Sequence, residues 1–195
     1  METHVDVKGP RVRLRRLTTG DVDMVLGWAK DPDVTRNFSF FEKGAHPERI
    51  RSYIEEKTRS AGDLLLAVME RTSDGTEHYA GNVGLHEWDA VNDNARLGII
   101  LAQASWGRGL AQEALCVLMQ HAFGSMGLHK VYLNVFTSND KGIHLYEKLG
   151  FVREGVMRHE YKLKGEYRDM LRMSIVAPEW PTPAARAILA GGEQP

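Results

Sequence analysis

The segment Trp106-Gly107-Arg108-Gly109-Leu110-Ala111 carries residue types that can hold a phosphate or pyrophosphate group. An apolar, strand-like run precedes it, Leu97-Gly98-Ile99-Ile100-Leu101, and an amphipathic run from Gln112 to about Met126 follows. The glycines therefore stand where a strand gives way to a helix. A helix start presents backbone N–H groups without carbonyl partners, at the positive end of the helix dipole. Glycine lets the chain turn sharply and lets a ligand approach the backbone. Together these features make an anion cradle. The same glycines also suit a plain tight turn, because Gly-x-Gly alone is weakly selective. Two phosphate loops do not fit. The dinucleotide fingerprint needs a third small residue where Gln112 stands, and the P-loop needs Gly-Lys-Ser/Thr, which the chain lacks.

Composition narrows the function classes. The 195 residues suit one domain with a proper core, 43% apolar and 26% charged. A formal net charge of -1 gives no bulk attraction for nucleic acid. Cys116 is the only cysteine, so neither an intrachain disulfide nor a thiolate zinc site is expected, and no metal is assigned. Within Leu115-Cys116-Val117-Leu118 it reads as a small buried apolar residue. No apolar run reaches membrane-spanning length and the N-terminus shows no signal-peptide pattern, so a cytoplasmic protein without membrane contact is expected.

The remaining elements must position the loop. Residues 1–10 read as a loose lead-in, and Val12 and Leu14, alternating with Arg11, Arg13 and Arg15, as a half-buried strand with a solvated face. A capped helix carries Val22, Val25, Leu26 and Ala29 and stops at Asp31-Pro32. The aromatic run Phe38-Ser39-Phe40-Phe41, with Asn37 before it, suits the core, with the lining of a substrate cleft as the alternative. Pro47 opens a second helix with Ile50, Tyr53 and Ile54 inward. Strands over 64–69, 79–88 and 95–101, separated by Ser73-Asp74-Gly75 and Asn92-Asp93-Asn94, make with the first an antiparallel meander. After the glycine segment, a stripe of Leu110, Leu115, Leu118, Ala122 and Met126 marks a helix ended by Gly127. A strand over 130–136 follows, then a short helix from Asn139-Asp140 to Gly150 bearing Ile143, Tyr146 and Leu149. A hairpin over 151–176 closes the domain. The domain is placed at residues 11–177, with 178–195 as a peripheral C-terminal tail.

Two stretches resemble the GNAT superfamily of acetyl-CoA-dependent N-acetyltransferases. Gly109 and Ala111 match the last fixed positions of its Q/R-x-x-G-x-G/A loop, and Trp106 replaces the leading Gln or Arg, as in the branch that acetylates protein N-termini on the ribosome. Asn139 through Phe151 is similar to the signature N-x-x-[AS]-x-x-[LI]-Y-x-K-x-G-F, with Gly142 at its small position. The later Glu154-Gly155 and Gly165-Glu166-Tyr167-Arg168-Asp169 resemble a hairpin shared by ribosomal-protein N-terminal and spermidine N-acetyltransferases. The resemblance implies an α/β (α+β) GNAT fold: a mixed, mostly antiparallel sheet flanked by helices, with strands 97–101 and 130–136 splayed apart. It implies that acetyl-CoA is the co-substrate. Its pantetheine arm would pair with backbone of Ile99, Ile100 and Leu101, and its pyrophosphate would take amides of Trp106, Gly107, Arg108, Gly109, Leu110, Ala111 and Gln112. Asn139, Gly142, Tyr146 and Lys148 would touch the rest. A homodimer is common among such relatives.

Acetyl transfer needs a neutral amine, a stabilised oxyanion, a proton for the departing thiolate, and held geometry. Alkyl amines are mostly protonated near neutral pH, so a base or a water relay must take a proton. Backbone N–H near Ile99–Leu101 can serve the oxyanion. Tyr146, at the family's tyrosine position, is the expected acid; the alternative is a packed tyrosine that only anchors the co-substrate. Glu87 is the favoured base, with Asp89 and His86 next and a water relay also open. Strand alternation predicts that only one of His86 and Glu87 points into the cleft. Arg96 stands where the spermidine branch often has an acid, and Glu42, Glu48, Glu55 and Glu56 are interleaved with Arg36, Lys43, Arg49, Arg51 and Lys57. This mixture predicts a singly charged amine on a larger acidic or polar body, a protein N-terminus or an amino sugar, over a polyamine. The competing function is a catalytically silent module that binds acetyl-CoA as sensor or scaffold.

Overall fold

Period-two patterning builds one sheet, and the computed structural model describes it through residues 5–36, 38–42 and 44–191. The strands are β1 (Asp6–Lys8), β2 (Val12–Arg16), β3 (Leu64–Arg71), β4 (Glu77–Asp89), β5 (Asn94–Leu101), β6 (Lys130–Phe136), β7 (Val152–Leu163) and β8 (Glu166–Val176). They lie in the order β1-β2-β3-β4-β5-β6-β8-β7. Neighbours run antiparallel except β5 and β6, which run parallel. The expected meander is β2 to β5. The helix following the glycine segment carries the chain from β5 to β6, as a parallel crossover requires.

Helices cover both faces. On one face α4 (Leu110–Gly124), α5 (Asp140–Lys148) and α6 (Pro183–Leu189) share a core with Leu66, Val68, Val83, Leu85, Leu97 and Leu133. Leu110, Leu115 and Leu118 of α4 are fully buried, each contributing about 1.5–3 kcal/mol by removal from water. On the other face α1 (Val22–Ala29), the short α2 (Pro32–Thr35) and α3 (Pro47–Arg59) enclose Leu65, Ala67 and Met69 with Val25, Trp28, Ile50 and Ile54. Phe40 and Phe41 pack there in edge contact at 4.9 Å, as expected of the aromatic run; Asn37 and Lys43 lie outside the described residues.

Three expectations are corrected. The lead-in contains β1, which pairs with β2 through Val7↔Leu14; three residues are too few to show a period. The arginines of β2 are not a solvated row: Arg13 bonds Asp6 and Glu77, and Arg15 bonds Asp21, at 2.7–2.9 Å. Nor is the stretch after Pro178 peripheral. Its helix α6 buries Ala185 and Ile188, Trp180 lies against Phe123, and Thr182 closes on Gly150. The stripe is short, and its partner surface exists only once α4 and α5 are assembled. Residues 192–195 of that tail lie outside the described residues.

Gly81 shows how tightly β4 and β5 meet. At φ 150° its missing Cβ would lie 2.2 Å from the Ile100 carbonyl oxygen and 2.7 Å from Leu101 Cα. Gly81→Ala is therefore expected to cost about 1–3 kcal/mol of stability through strain and overpacking. A shifted denaturant midpoint at constant slope checks this, and an unchanged midpoint would mean that the strand yields without cost.

Candidate active site

The gap begins where β5 and β6 stop pairing. Their parallel rungs are Asn94↔Lys130, Ala95↔Val131 and Arg96↔Tyr132. Beyond the last rung β5 continues to Leu101 and β6 to Phe136. The splay expected between 97–101 and 130–136 thus has its vertex at Arg96 and Tyr132. Ile99 and Ile100 are half-buried along one side of it and Leu101 is buried. Backbone on the gap side of β5 is left for a ligand, since each strand residue carries a donor and an acceptor.

At the open end, β5 leads into the glycine segment. Gly107 and Gly109 adopt φ 70° and 76°, the left-handed region that glycine enters without penalty. Gly109 is the N-cap of α4 and has no side chain to occupy its amides. The N–H groups of Leu110, Ala111 and Gln112 open the first turn with no carbonyl below them. Trp106 donates its indole N–H to the Leu101 carbonyl at 3.0 Å, folding the loop back on β5. Arg108 bonds Glu70 at 2.5 Å, and its carbonyl accepts from Arg11 at 3.1 Å. Beneath the loop, the buried Glu113 carboxylate accepts from the amides of Arg11 and Val12 and from Arg11 Nε, at 2.5, 2.7 and 3.1 Å. The loop is therefore braced from behind, and the Trp106 amide, expected to hold the pyrophosphate, instead donates to the Gln103 carbonyl at 3.0 Å.

Helix α5 follows β6 at the same end. Asn139 caps it, its Oδ1 accepting from the Gly142 amide at 3.1 Å, and a Cβ on Gly142 would crowd that side chain. Ile143 is buried; Tyr146, one turn on, packs against the core and Phe151. Burial pushes the Tyr146 phenol up to about 12, so it holds its proton through the neutral range. Lys148 is exposed in the last turn.

Polar residues collect at the vertex, on the face of α1 and α3. A bulge between His86 and Asp89, with Glu87 at φ 56°, interrupts the alternation of β4. This corrects the expectation that His86 and Glu87 oppose one another. Glu87 accepts from Arg96 at 2.8 Å and from Tyr132 at 3.2 Å, while His86 is the Cα partner of Arg96 on the same face. The Arg96 bond holds the Glu87 carboxyl below its ordinary value despite partial desolvation, with Tyr132 adding to it. Glu87 is thus an anchored carboxylate with reduced proton affinity. Asp89 is turned to the amides of Val91 and Asn92 in the loop before β5. Arg172 stacks on the Tyr132 ring at 4.4 Å.

At the open end of this face, a pocket of about 180 Å³ is lined by Arg36, Phe136, Ser138, Leu163, Lys164 and Arg168. The tip of the β7–β8 hairpin is tied across it, since Glu42 accepts from the Lys164 amide at 2.7 Å. Glu42 is thereby committed to a backbone contact. Nothing local in the sequence marks Tyr132, Arg172 and Asp63, because long-range pairing brings them to the vertex. Among the described residues no group of three metal-ligating side chains occurs, and no helix is long and apolar enough to cross a membrane.

The comparisons with known proteins agree with this geometry. Residues 11–152 match the family model for the acetyltransferase (GNAT) domain. The spermidine N(1)-acetyltransferase of Escherichia coli (strain K12) is 42% identical over 96 residues, 49% of this chain and 52% of the relative. The chain therefore matches about half the length of that relative. An uncharacterized N-acetyltransferase, p20 of Bacillus licheniformis, is 26% identical over 172 residues, 87% of this chain and 95% of the relative. Among solved structures, the spermidine N-acetyltransferase from Vibrio cholerae in complex with CoA and spermine superposes with a TM-score of 0.76 at 26% identity, covering 86% of this chain and 96% of that one. With a family match across most of the chain and a sheet that opens between β5 and β6 above a glycine-started helix, this protein belongs to the GNAT acetyltransferase family.

Proposed function

We propose that the protein transfers the acetyl group of acetyl-CoA to a primary amine by direct attack in a ternary complex. The observation that carries this reading is the gap beyond Arg96↔Tyr132, which runs from a polar vertex to the capless amides of α4. In this reading the amides of 107–112 hold the pyrophosphate and the β5 backbone at Ile99, Ile100 and Leu101 holds the pantetheine arm. Trp106 and Arg108 brace the loop, and Asn139, Gly142 and Lys148 border the rest of the co-substrate. A β5 N–H stabilises the oxyanion, where a donor fixed in place is worth more than one in water. Tyr146 gives its phenolic proton to sulfur as the C–S bond breaks. Glu87 orients Arg96 and Tyr132.

The acceptor is an amine on a body with acidic or polar groups, such as a protein N-terminus or an amino sugar. Arg36, Lys164 and Arg168 around the open-end pocket support this, as do Arg96 and Arg172 at the vertex. A flexible polycation would meet Lys164 at the open end and Arg172 at the vertex, beside the Arg168–Glu166 and Arg96–Glu87 pairs. The spermidine relatives argue for the polyamine, and rates decide between them. Thiol release is to be followed with spermidine, an unblocked acidic peptide and a nucleotide-linked amino sugar at matched concentrations. The expected result is a higher kcat/KM for the peptide or the sugar. A spermidine value of ~10⁴ M⁻¹s⁻¹ or above that exceeds both overturns the charge argument. Thiol release with none of them leaves the silent acetyl-CoA-binding module.

A further inference from the structure

Attack on the thioester needs a group to take the amine's proton, and Glu87 is drawn away from that task by Arg96. The same face holds another group. His86 is buried in β4, and its Nδ1 lies 2.8 Å from Asp63 Oδ1. Asp63 is buried too, and its second oxygen meets Lys57 of α3 at 3.3 Å. Hydrogen bonding Nδ1–H to a carboxylate fixes the tautomer and leaves Nε2 as an acceptor.

The imidazole stands over two glycines. His86 pairs with Arg96, and Gly84 with Gly98, one step along on the same face. A Cβ on Gly84 would lie 3.3 Å from His86 Nε2, and one on Gly98 would lie 3.5 Å from it. Nε2 therefore lies over the Gly84–Gly98 pair, one step beyond the last β5–β6 rung and above the start of the splayed part of β5. With side chains in place of Gly84 and Gly98 that approach would be filled.

We propose that His86 is the catalytic base of the reaction, with Asp63 as its positioning residue; the proposal rests on the acetyltransferase reading above. The alkylammonium first gives one proton to solvent; as the neutral amine nitrogen then bonds to the thioester carbon, His86 Nε2 takes a second proton from it, directly or through one water. The C–S bond then breaks and the Tyr146 phenol protonates the sulfur. Imidazolium and phenolate return to their resting forms by exchange with solvent. Asp63 stabilises the imidazolium, as a carboxylate does in a His–Asp pair.

The charged groups facing the imidazole are Asp63, Lys57 and Arg96; Tyr53 of α3 faces Asp63, Arg96 and Glu56, and Glu87 lies beside His86 in β4. Burial lowers the His86 pKa below its ordinary value, the Asp63 bond opposes this, and Arg96 and Lys57 lower it further. The ring is neutral at pH 7 and ready to accept. Activity should therefore fall below the ordinary histidine range as the ring protonates.

The test is the pH profile of kcat/KM for thiol release with a primary amine substrate, for the wild type, His86→Gln and Asp63→Asn. The wild type is expected to show an acidic limb below pH 6.5. His86→Gln should lose that limb and about 10²-fold in kcat, with acetyl-CoA affinity by calorimetry unchanged. Asp63→Asn removes the charge that raises the His86 pKa, so its limb should move to lower pH. A packing role alone would leave the limb in place. If either variant fails to fold, the ¹⁵N shift titration of His86 in the wild-type protein must coincide with the kinetic limb. A His86→Gln enzyme within twofold of wild type, or an imidazole titration apart from the limb, overturns the assignment. Absence of thiol release from the wild type with any amine would instead sink the acetyltransferase reading itself.

Discussion

Tyr146→Phe is expected to lower turnover by about 10²-fold or more, the typical contribution of a general acid. The change keeps the ring and its contacts with Phe151 and the core while removing one hydroxyl. Stability and acetyl-CoA affinity should therefore change little. A proton held to about 12 is present at all working pH values, so loss of the phenol should depress the rate across the whole profile. Leaving-group quality offers a second readout. If the phenol protonates sulfur, an acetyl thioester of a more acidic thiol should need it less, and the ratio of wild-type to variant turnover should shrink. Equal turnover with acetyl-CoA would reduce Tyr146 to an anchor.

Gly109→Asp is expected to weaken acetyl-CoA binding at least tenfold, equivalent to about 1.4 kcal/mol. Gly109 sits at φ 76° at the head of α4. Asp and Asn tolerate this region better than other non-glycine residues, so the fold should survive. A carboxylate there repels a pyrophosphate and competes for the amides of Leu110 and Ala111. Gly109→Asn carries nearly the same shape without the charge and separates the two effects. Asp much weaker than Asn, with the difference shrinking in high salt, is the electrostatic signature. Affinity unchanged in both would remove the loop from the site.

Local pattern determined much of this protein. The glycine loop, the stripe of α4 and the Asn139 cap each depend on residues within a turn or two, where backbone geometry and helical period are set. These positions were legible because Gly109 needs its left-handed φ and because Asn139 must reach the Gly142 amide, whatever surrounds them. The meander from β2 to β5 follows from short connections; the order β6-β8-β7 does not, because β8 rather than the next strand in sequence lies beside β6. The splay is implied by family resemblance alone; its vertex at Arg96↔Tyr132 is a matter of register, which residue types do not encode.

Tertiary structure alone decided the chemistry of the vertex. Alternation along β4 predicts opposite faces for His86 and Glu87, but a bulge at φ 56° brings both to one face, where Glu87 meets an arginine nine positions away. His86 finds Asp63 across 23 positions, and Glu113 finds the amides at the start of β2 across more than 100. Proton affinity depends on such neighbours and on burial, both properties of the assembled fold. The tail likewise acquired a helix because α4 and α5 offered it an apolar seat. Sequence lists the groups able to do chemistry; distance and desolvation, which exist only after packing, select among them.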